Sequence, residues 1–566
     1  MVVEAKMSLK SDIMSQSFIG YVRLWVPLSI AIGIGSGLLM TLFFITVETM
    51  RSALSQIPIY YTMIMGGIVT AIAVKYYGPS IQGSGVSEYI AARHGKTKFD
   101  LKGGITKFVT SSVVMGSGCI VGSEGPAIYV GGTLSQLIPQ KISKFPIKRE
   151  TITVLGGAAA TAALFQAPLG GTIFAAEIPY RHDIDAPAYT PSFLAAITGF
   201  LTFRYSTKLI FGAPPRLLTL HIGTYHENFQ GFLFALLVGL SAGLVGLLFV
   251  NIFWLSRKLS TKYFSDTVRP IIGTILAAIT VFLIVTLVSQ EPPLNWNGFD
   301  MLNTLDQENE FDVLTYSFLI ILTILGTSFT VGFGVSGGVF APALVVGGGV
   351  GGIIGLLLDP ANASAYIVLG MSASHTATTK TPIASLVLII ELTGYPTVFL
   401  APLAIANVVA YFVSGKKSLY TGQYNDRAEA FLKDIEEHEI LHNYKVKDIM
   451  TTNVISIKSN FPVHAAKQII LETGKHTLPV VGPENKVIGI ITPEIIRNAP
   501  DDEPVTKYME TRFYTVPPDI TLKELFDLFI KIDDERVIVT NQENQLLGIV
   551  TVRDLIRTTR KAIVLK

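Results

Sequence analysis

The sequence predicts a polytopic α-helical membrane domain followed by a smaller soluble α/β domain. The chain has 566 residues, of which 49% are hydrophobic and only 15% are charged, so it is too apolar for an ordinary soluble protein. About half of the charged residues lie after Gly415, in roughly the last quarter of the chain. Each of these two parts also repeats its own sequence pattern, which indicates an internal duplication in both.

Composition divides the chain into five segments. Residues 1–20 are polar and mixed in charge, without the apolar core and cleavage site of a signal peptide, and predict a cytoplasmic N-terminal segment. Residues 21–422 form the predicted membrane domain, 423–443 a linker, and 444–498 and 499–566 the two halves of the soluble domain. The net charge of +2 does not predict a nucleic-acid partner, and a single cysteine, Cys119, excludes an intrachain disulfide.

Apolar runs define the membrane elements in order. The first run, at 26–47, is long enough to span a bilayer. Later runs fall at 60–76, 108–121, 125–138, 153–164, 167–178, 192–211, 229–256, 268–288, 313–333, 338–358, 365–374, 382–393 and 396–414. Several have only about 10–14 residues, which is too short to cross about 30 Å of hydrocarbon. Short pieces interrupted by Gly or Pro, at matching places in two halves, predict broken helices around a central transport site.

Two motif pairs show the duplication of the membrane domain. GSEGPAIYVGG (122–132) matches GVFAPALVVGG (338–348) at an offset of 216 residues. APLGGTIFAAEI (167–178) matches TPIASLVLIIEL (381–392) at an offset of 214 residues, and in both a Pro precedes a Glu by nine residues. We therefore predict two repeats, which in transporters are often inverted relative to each other.

Three segments have the composition of a helix that starts inside the membrane. A helix start offers free N–H groups and a partial positive charge, Gly lets the backbone approach a ligand, and Pro fits the first turn. GSEGP (122–126) and GVFAP (338–342) fit this pattern fully, and GSGVS (83–87) fits except at its last residue. We therefore predict backbone anion sites at these starts. For the glycines at 33–37 and 347–352 we favour close helix packing, and the second run lacks the strand and acidic partner of a dinucleotide site.

These motifs, in this order, resemble those of the CLC family of chloride channels and chloride/proton antiporters over nearly the whole chain. GSGVSE, GSEGP and GGVFAP are similar to the family's GSGIPE, GREGP or GKEGP, and GGIFAP. KSLY at 417–420 stands where the family places an anion-contacting Tyr. The resemblance implies the CLC fold with inverted repeats and broken helices, and a homodimer in which each subunit has its own pore.

The resemblance also implies a chloride site made by the hydroxyls of Ser84 and Tyr420 and the backbone amides of Val339 and Phe340. Neutral donors suit an ion that must leave again. Ser84 favours chloride, because family members that prefer nitrate carry Pro at this place. The alternatives are a helix cap for Ser84 and an interfacial tyrosine for Tyr420.

Glu124 is a carboxylate at membrane depth, and such a group is expected to have a function. We predict that it is the external gate and proton acceptor. When ionised it competes with chloride at the helix starts, and when protonated it swings away. The alternative is a buried acid paired with Lys or Arg, although no basic residue lies nearby in the sequence.

The inner proton position departs from the family pattern. Aligning APLGGTIFAAEIPYR on the antiporters' Glu-Glu pair puts Glu177 at the first acid and Ile178 at the inner proton position. Either protons reach Glu124 by water or through another acid, with Glu177, Asp183 and Glu391 as candidates by position, or coupling is loose, or the protein is a passive channel. Glu177 and Glu391 occupy equivalent places in the two repeats, which favours structural acids at helix ends.

Two serines also depart from the pattern. Ser123 stands where many relatives carry Arg or Lys, which predicts a weaker positive potential beside the outer site. Ser87 replaces the family's Pro and predicts a looser helix start. Farther along, the run HDID at 182–185 holds two acids and one His, which in a loop are typical of a solvated turn, so we predict no metal site.

The soluble domain contains a second repeat. VKDIMTTNVISI (446–457) pairs with VTKYMETRFYTV (505–516), and VIGIITPEIIR (487–497) with LLGIVTVRDLI (546–556), both at an offset of 59 residues. Strand-like runs alternate with amphipathic helices, and the pattern resembles a pair of CBS domains.

In the CBS domains that bind adenine nucleotides, an Asp three residues after a Thr holds the ribose. Thr551 and Asp554 match this pair, whereas the first copy has Thr492 followed by Ile495. The resemblance therefore implies at most one site for ATP, ADP or AMP. The alternative is a purely structural dimerising module, and we predict no required cofactor.

Together these features predict a transporter rather than an enzyme. We expect chloride transport, by chloride/proton exchange gated by Glu124, with a passive chloride channel as the alternative. A fluoride exchanger fits Ser84 and Tyr420 less well, and intact pore motifs argue against a nucleotide sensor that is merely anchored in the membrane. The expected setting is a plasma or inner membrane, as a homodimer formed through the membrane domain and the CBS pair, with both termini in the cytoplasm.

Overall fold

The first part of the chain is helical because a chain inside hydrocarbon must satisfy every backbone N–H and C=O group internally. In the computed structural model, the chain forms two units, Met1–Arg427 and Ala428–Lys566. The structure describes residues 2–137 (side chains from 20 onward), 149–215, 218, 229–288, 312–394, 399–427, 429, 430, 433, 440–532, 534–555, 557 and 558.

Fifteen α-helices are described in the first unit. In chain order they are α1 (Val2–Leu54), α2 (Ile59–Tyr77), α3 (Val86–Arg93), α4 (Leu101–Gly116), α5 (Glu124–Gln136), α6 (Arg149–Phe165), α7 (Pro168–Glu177), α8 (Ala186–Phe211), α9 (Phe229–Tyr263), α10 (Arg269–Val288), α11 (Val313–Thr330), α12 (Phe340–Leu358), α13 (Ala363–Thr379), α14 (Pro382–Thr393) and α15 (Leu400–Val413).

The helix lengths confirm the predicted polytopic helical fold. Within the described residues, six helices are long and apolar enough to cross a membrane: 20–54, 59–77, 229–263, 269–286, 313–333 and 340–358. The apolar helices at 150–165, 382–393 and 400–413 are shorter, as the short runs predicted. The predicted N-terminal segment 1–20 is helical from Val2 and continues into the first span as one helix.

Glycines allow the membrane helices to pack with their backbones in contact. A Cβ on Gly33 or Gly37 of α1 would overlap residues of α8, and a Cβ on Gly347 of α12 would overlap the Gly370 carbonyl of α13. The packing interpretation of both glycine runs is therefore confirmed. Close approach of this kind is the usual way in which helices associate in lipid.

The second unit contains two copies of one α/β motif. Each copy has a three-stranded sheet, in the order β1-β2-β3 and β4-β5-β6, in which the first pair is parallel and the second antiparallel. The strands are β1 (Ile457–Lys458), β2 (Leu478–Val481), β3 (Val487–Ile491), β4 (Thr515–Val516), β5 (Arg536–Thr540) and β6 (Leu546–Thr551). The helices are α16 (Ile440–Asn443), α17 (Val463–Thr473), α18 (Pro493–Ile496) and α19 (Leu522–Lys531).

The two copies pack against each other through apolar side chains of their sheets. Val487 and Ile490 of the first copy share a buried cluster with Ile538 of the second. The backbone also joins them, because Val487 N–H donates to the Asn544 carbonyl at 3.0 Å. The 59-residue offset thus corresponds to one structural repeat, and neither half buries its sheet alone.

Candidate functional site

Three helix starts meet in the interior of the first unit. The loops before α5 and α12 pair as a short antiparallel bridge, with Gly122 N–H donating to the Gly338 carbonyl at 2.8 Å and Gly338 N–H donating back at 2.7 Å. The loop before α3 joins them, because Gly337 N–H donates to the Gly83 carbonyl at 3.2 Å. The structure therefore brings together all three segments in which the sequence predicted anion sites.

The Glu124 carboxylate lies at the start of α12. Its Oε1 accepts hydrogen bonds from the backbone amides of Val339, at 2.5 Å, and Phe340, at 2.7 Å. Glu124 is fully buried, and its Oε2 has no partner among the described residues. Glu124 thus occupies the two amide donors that the resemblance implies for chloride.

Glycine is required for the carboxylate to lie there. A Cβ on Gly338 would overlap the carboxylate of Glu124, and a Cβ on Gly125 would overlap the Ser84 carbonyl. Pro126 and Pro342 each stand third in their helices, where the missing N–H would have had no intrahelical acceptor. The two Gly-x-x-x-Pro motifs therefore build the site in the same way from both repeats.

The two hydroxyls predicted for the chloride site lie nearby but do not bond to Glu124. Ser84 is half-buried, and its Oγ accepts from the amide of Val86, the first residue of α3, at 3.2 Å, which keeps its own proton free to donate. The Tyr420 hydroxyl is buried without a partner in the described part of the chain, and it is close enough to interact electrostatically with Glu124. Tyr420 therefore has an unused donor inside the protein rather than at its surface.

Ser87 has a specific contact. The Thr421 amide donates to its Oγ at 3.1 Å, which ties the start of α3 to the residue after Tyr420. A proline at this place could not accept that bond. The looser helix start expected from Ser87 stays a prediction, although its hydroxyl forms a link that a proline ring could not form.

Lys107 is a residue that sequence reasoning missed. It is fully buried in α4, and its Nζ donates to the carbonyls of Ile81, at 2.9 Å, and Gly83, at 2.7 Å. It also interacts electrostatically with Glu124, so a cation does lie near the site, although Glu124 bonds to amides rather than to it. Its spacing from Gly104 could have indicated burial, because the two residues lie on the same buried face of α4.

A small cavity adjoins the two helix starts that form the site. Its volume is about 50 Å³, and it is lined by Gly122, Ser123 and Ala341 from the two helix starts and by Glu48 and Arg51 from α1, among others. Arg51 and Glu48 form an ion pair of 2.9 Å with partly exposed side chains. Arg51, paired with Glu48, therefore lines the same cavity as Ser123, which stands where many relatives carry a basic residue.

The acids of the second motif pair form reciprocal links. Glu177, at the end of α7, accepts from the amides of Ile383, at 3.3 Å, and Ala384, at 2.7 Å, at the start of α14. Glu391, near the end of α14, accepts from the amides of Leu169, at 3.1 Å, and Gly170, at 2.7 Å, at the start of α7. Each acid uses both carboxylate oxygens, and each caps the helix of the other repeat.

Ile178 brings an apolar side chain to the inner proton position. It ends α7 and is fully buried. In the loop that follows, Asp183 pairs with Arg427 at 2.8 Å, Asp185 pairs with Arg93 at 2.5 Å, and His182 lies 2.7 Å from the Tyr411 hydroxyl. These side chains point to separate partners, and across the described ranges no three His, Cys, Asp or Glu side chains are grouped to hold a metal ion.

Thr551 and Asp554 lie together at the end of β6. The Asp554 Oδ2 accepts from the Thr551 amide at 3.0 Å and from the Thr551 hydroxyl at 2.7 Å. In the first copy Thr492 precedes α18, and Ile495 brings a half-buried apolar side chain to the place of the Asp. The asymmetry seen in the sequence is therefore also an asymmetry of the two folded copies.

Comparisons with known proteins agree with this architecture. A family model described as voltage gated chloride channel matches residues 66–415, more than half of the chain, and CBS domain models match 446–502 and 505–560. The chain is 27% identical to an uncharacterized protein of Methanocaldococcus jannaschii over 404 residues, which is 70% of this chain and 94% of that protein.

Two further matches cover more of the chain. It is 25% identical to the H(+)/Cl(-) exchange transporter 3 of Homo sapiens over an alignment of 591 positions, which covers 86% of this chain and 70% of that protein. A crystal structure described as a eukaryotic CLC transporter matches the fold with a TM-score of 0.61 at 17% identity, over 94% of this chain and 98% of that one. The chain is therefore an integral multi-pass membrane protein that belongs to the voltage-gated chloride channel family, with two CBS domains after its membrane unit.

Proposed function

We propose that this protein transports chloride across its membrane in exchange for protons, with Glu124 as both gate and proton acceptor. The observation that carries the proposal is the bonding of the Glu124 carboxylate to the amides of Val339 and Phe340. A carboxylate that uses the donors of an anion site excludes the anion from them. Similarity to a human H(+)/Cl(-) exchange transporter supports the same conclusion.

The exchange follows from one group having two charge states. Ionised Glu124 holds the two amides, because a charged acceptor forms the stronger hydrogen bond. Protonation weakens that hold, so the side chain leaves and chloride takes the amides. The free hydroxyl protons of Ser84 and Tyr420 complete a site of neutral donors, which binds chloride and still releases it.

A passive chloride channel is the second candidate, and one observation favours it. The buried Ile178 side chain stands where the antiporters carry their inner proton carboxylate. If neither water nor another acid replaces that carboxylate, protons are not delivered to Glu124 from the inner side.

One experiment separates the two candidates. The protein is reconstituted in liposomes with a chloride gradient and no pH gradient, and chloride and proton movements are recorded together. Exchange predicts uphill proton movement, which Glu124→Ala should abolish while chloride still passes. Glu391→Gln is the matched control, because it alters a half-buried acid that links two helices away from the site, and it should keep both movements. Proton movement that survives in Glu124→Ala would contradict the gate role.

We further propose that the CBS pair binds one adenine nucleotide through Asp554. The carboxylate already accepts two hydrogen bonds from Thr551, which orients it while leaving Oδ1 for ribose hydroxyls. Titration calorimetry with ATP, ADP and AMP should detect one site per chain, and Asp554→Ala should remove it. Asp519→Ala, which alters an exposed acid of the same copy, should leave binding intact. Equal heats of nucleotide binding in Asp554→Ala and wild type would refute the role of Asp554 in the nucleotide site.

The assembly and orientation proposed here follow the family. We propose a homodimer formed through the membrane unit and the CBS pair, with both termini in the cytoplasm of a cell whose plasma or inner membrane holds the protein. Large apolar side chains on α8, α14 and α15 remain exposed in the single chain, including Leu209, Ile383 and Phe412. Such side chains require lipid or a second subunit as cover. Light scattering of the detergent-solubilised protein measures the subunit number.

A further inference from the structure

Arg257 of α9 is a charged side chain that the site described above does not use. It is half-buried, and its guanidinium forms no hydrogen bond or ion pair within the described part of the chain. Its Nη1 lies 3.5 Å from the position that a Cβ on Gly83 would occupy. The guanidinium therefore lies beside the residue that precedes Ser84, and no ion pair takes up its charge.

Helix α9 places Arg257 between the two loops that carry the predicted chloride ligands. The Trp254 indole N–H donates to the Ser418 carbonyl at 2.7 Å, two residues before Tyr420. Residues three apart in a helix are neighbours on one face, so Arg257 follows Trp254 along the same face. That face therefore contacts the Tyr420 loop through Trp254 and the Ser84 loop through Arg257.

Two other cations near the loop before α3 are already bonded to it. Lys107 donates to two carbonyls of this loop, at 2.9 and 2.7 Å. Arg269, the first residue of α10, donates to the side chain of Gln82 and pairs with Asp266 at 3.0 Å. These two side chains hold the loop in place, whereas Arg257 contributes its charge without such a bond.

The charges around this loop leave a positive excess. Glu88 of α3 interacts electrostatically with Lys107 and with Arg257. Asp266 interacts with Arg257 in addition to its ion pair with Arg269. Three cations therefore face two carboxylates, and one positive charge is not matched by them.

Glu124 connects this excess to the gate. It interacts electrostatically with Lys107, so the ionised carboxylate balances the remaining positive charge. Protonation of Glu124 leaves that charge uncompensated. The excess is thus largest in the state in which the carboxylate no longer competes with chloride.

We propose that Arg257 attracts chloride to the anion site from the side of the Ser84 loop. The inference rests on the proposed chloride transport but not on proton coupling. A guanidinium acts on an anion over several ångströms, whereas the neutral donors of Ser84 and Tyr420 act only at contact. Because the guanidinium lies beside Gly83 and is not one of the four predicted ligands, it raises the local chloride concentration while the site still releases the ion.

A series of substitutions that changes the charge of Arg257 tests this role in reconstituted liposomes. Arg257→Lys keeps the charge, Arg257→Gln removes it and Arg257→Glu reverses it. At low ionic strength the chloride flux should stay near the wild-type value in the first, fall about tenfold in the second and fall further in the third. These losses should shrink when potassium gluconate raises the ionic strength, because salt screens the charge. Lys258→Gln, which removes a charge from the exposed neighbouring residue of α9, is the matched control and should keep the wild-type flux.

The pattern of the losses distinguishes attraction from packing. If Arg257 only supports the fold, Arg257→Gln and Arg257→Glu should lose the same flux at every ionic strength, and that result would overturn the proposal. Wild-type flux in Arg257→Gln would overturn it as well. The ratio of protons to chloride should equal that of the wild type in every variant, since Arg257 acts on the anion alone. A wild-type protein that moves no chloride would instead refute the proposed transport function.

Discussion

Replacing Glu124 by Gln should tighten chloride binding, and the structure gives the size of the effect. The carboxylate holds the site by two amide bonds, to Val339 and Phe340. A hydrogen bond to a charged acceptor contributes about 1.5–3 kcal/mol and one to a neutral acceptor about 0.5–1.5 kcal/mol, so each bond loses about 1 kcal/mol. The Gln side chain therefore binds the two amides about 2 kcal/mol more weakly than the carboxylate does. Because it competes less with chloride for these amides, the apparent chloride Kd should fall by about 30-fold.

The assay is calorimetric titration of chloride into the detergent-solubilised protein at neutral pH. Glu177→Gln is the matched control, because Glu177 also accepts two amide bonds from a helix start but at α14 rather than α12. That variant should keep the wild-type Kd. A Glu124→Gln protein with an unchanged or weaker chloride affinity would refute the idea that the carboxylate competes with the anion.

The chloride affinity of the wild-type protein should also depend on pH. Protonation of wild-type Glu124 removes the charge that strengthens its two bonds, just as Gln does. Chloride affinity of the wild type should therefore rise as the pH falls, whereas that of Glu124→Gln should stay constant. A pH dependence that is equal in both proteins would assign the effect to another group.

Three further predictions concern the surrounding residues. Arg51→Gln should lower chloride flux about tenfold at low salt and by less at high salt, and a second substitution, Ser123→Arg, should restore the flux. A loss of flux that does not depend on salt would contradict an electrostatic role for Arg51. Glu177→Ala and Glu391→Ala should each destabilise the protein by a similar amount, about 2–4 kcal/mol for two lost amide bonds, measured by thermal unfolding in detergent. Lys107→Met should weaken chloride binding in calorimetry about tenfold, because it removes a buried positive charge near the site; unchanged affinity would make Lys107 purely structural.

The sequence predicted the parts of the site that depend on local chemistry. Gly and Pro at fixed spacing specify where a helix can start, and the 216-residue offset pairs Gly122 with Gly338, which the structure joins by two backbone bonds. The proline-to-glutamate motifs likewise predicted acids at helix ends. In these cases the residue types that form the structure are neighbours in the chain, so their pattern is legible without knowing the fold.

The residues that were not predicted meet only through tertiary packing. Arg51 lines the same cavity as Ser123 from another helix, and Lys107 bonds to the loop before α3 from the buried face of α4. A charge in an apolar run signals burial, but its partners are set by helix packing that the motif does not encode.

The protein uses one kind of contact three times, and Glu124, the proposed gate, makes it differently from the two structural links. In each case a carboxylate accepts bonds from the amides at the start of a helix. Glu177 and Glu391 engage both oxygens and stand at the ends of their own helices, so each joins two helices across the repeats. Glu124 engages only Oε1, leaves Oε2 without a partner among the described residues, and stands at the start of its own helix, in close contact with Gly122 and Gly338. The same acid chemistry therefore stabilises the fold where both oxygens are engaged, and the one-oxygen attachment of Glu124 supports its proposed role as a gate.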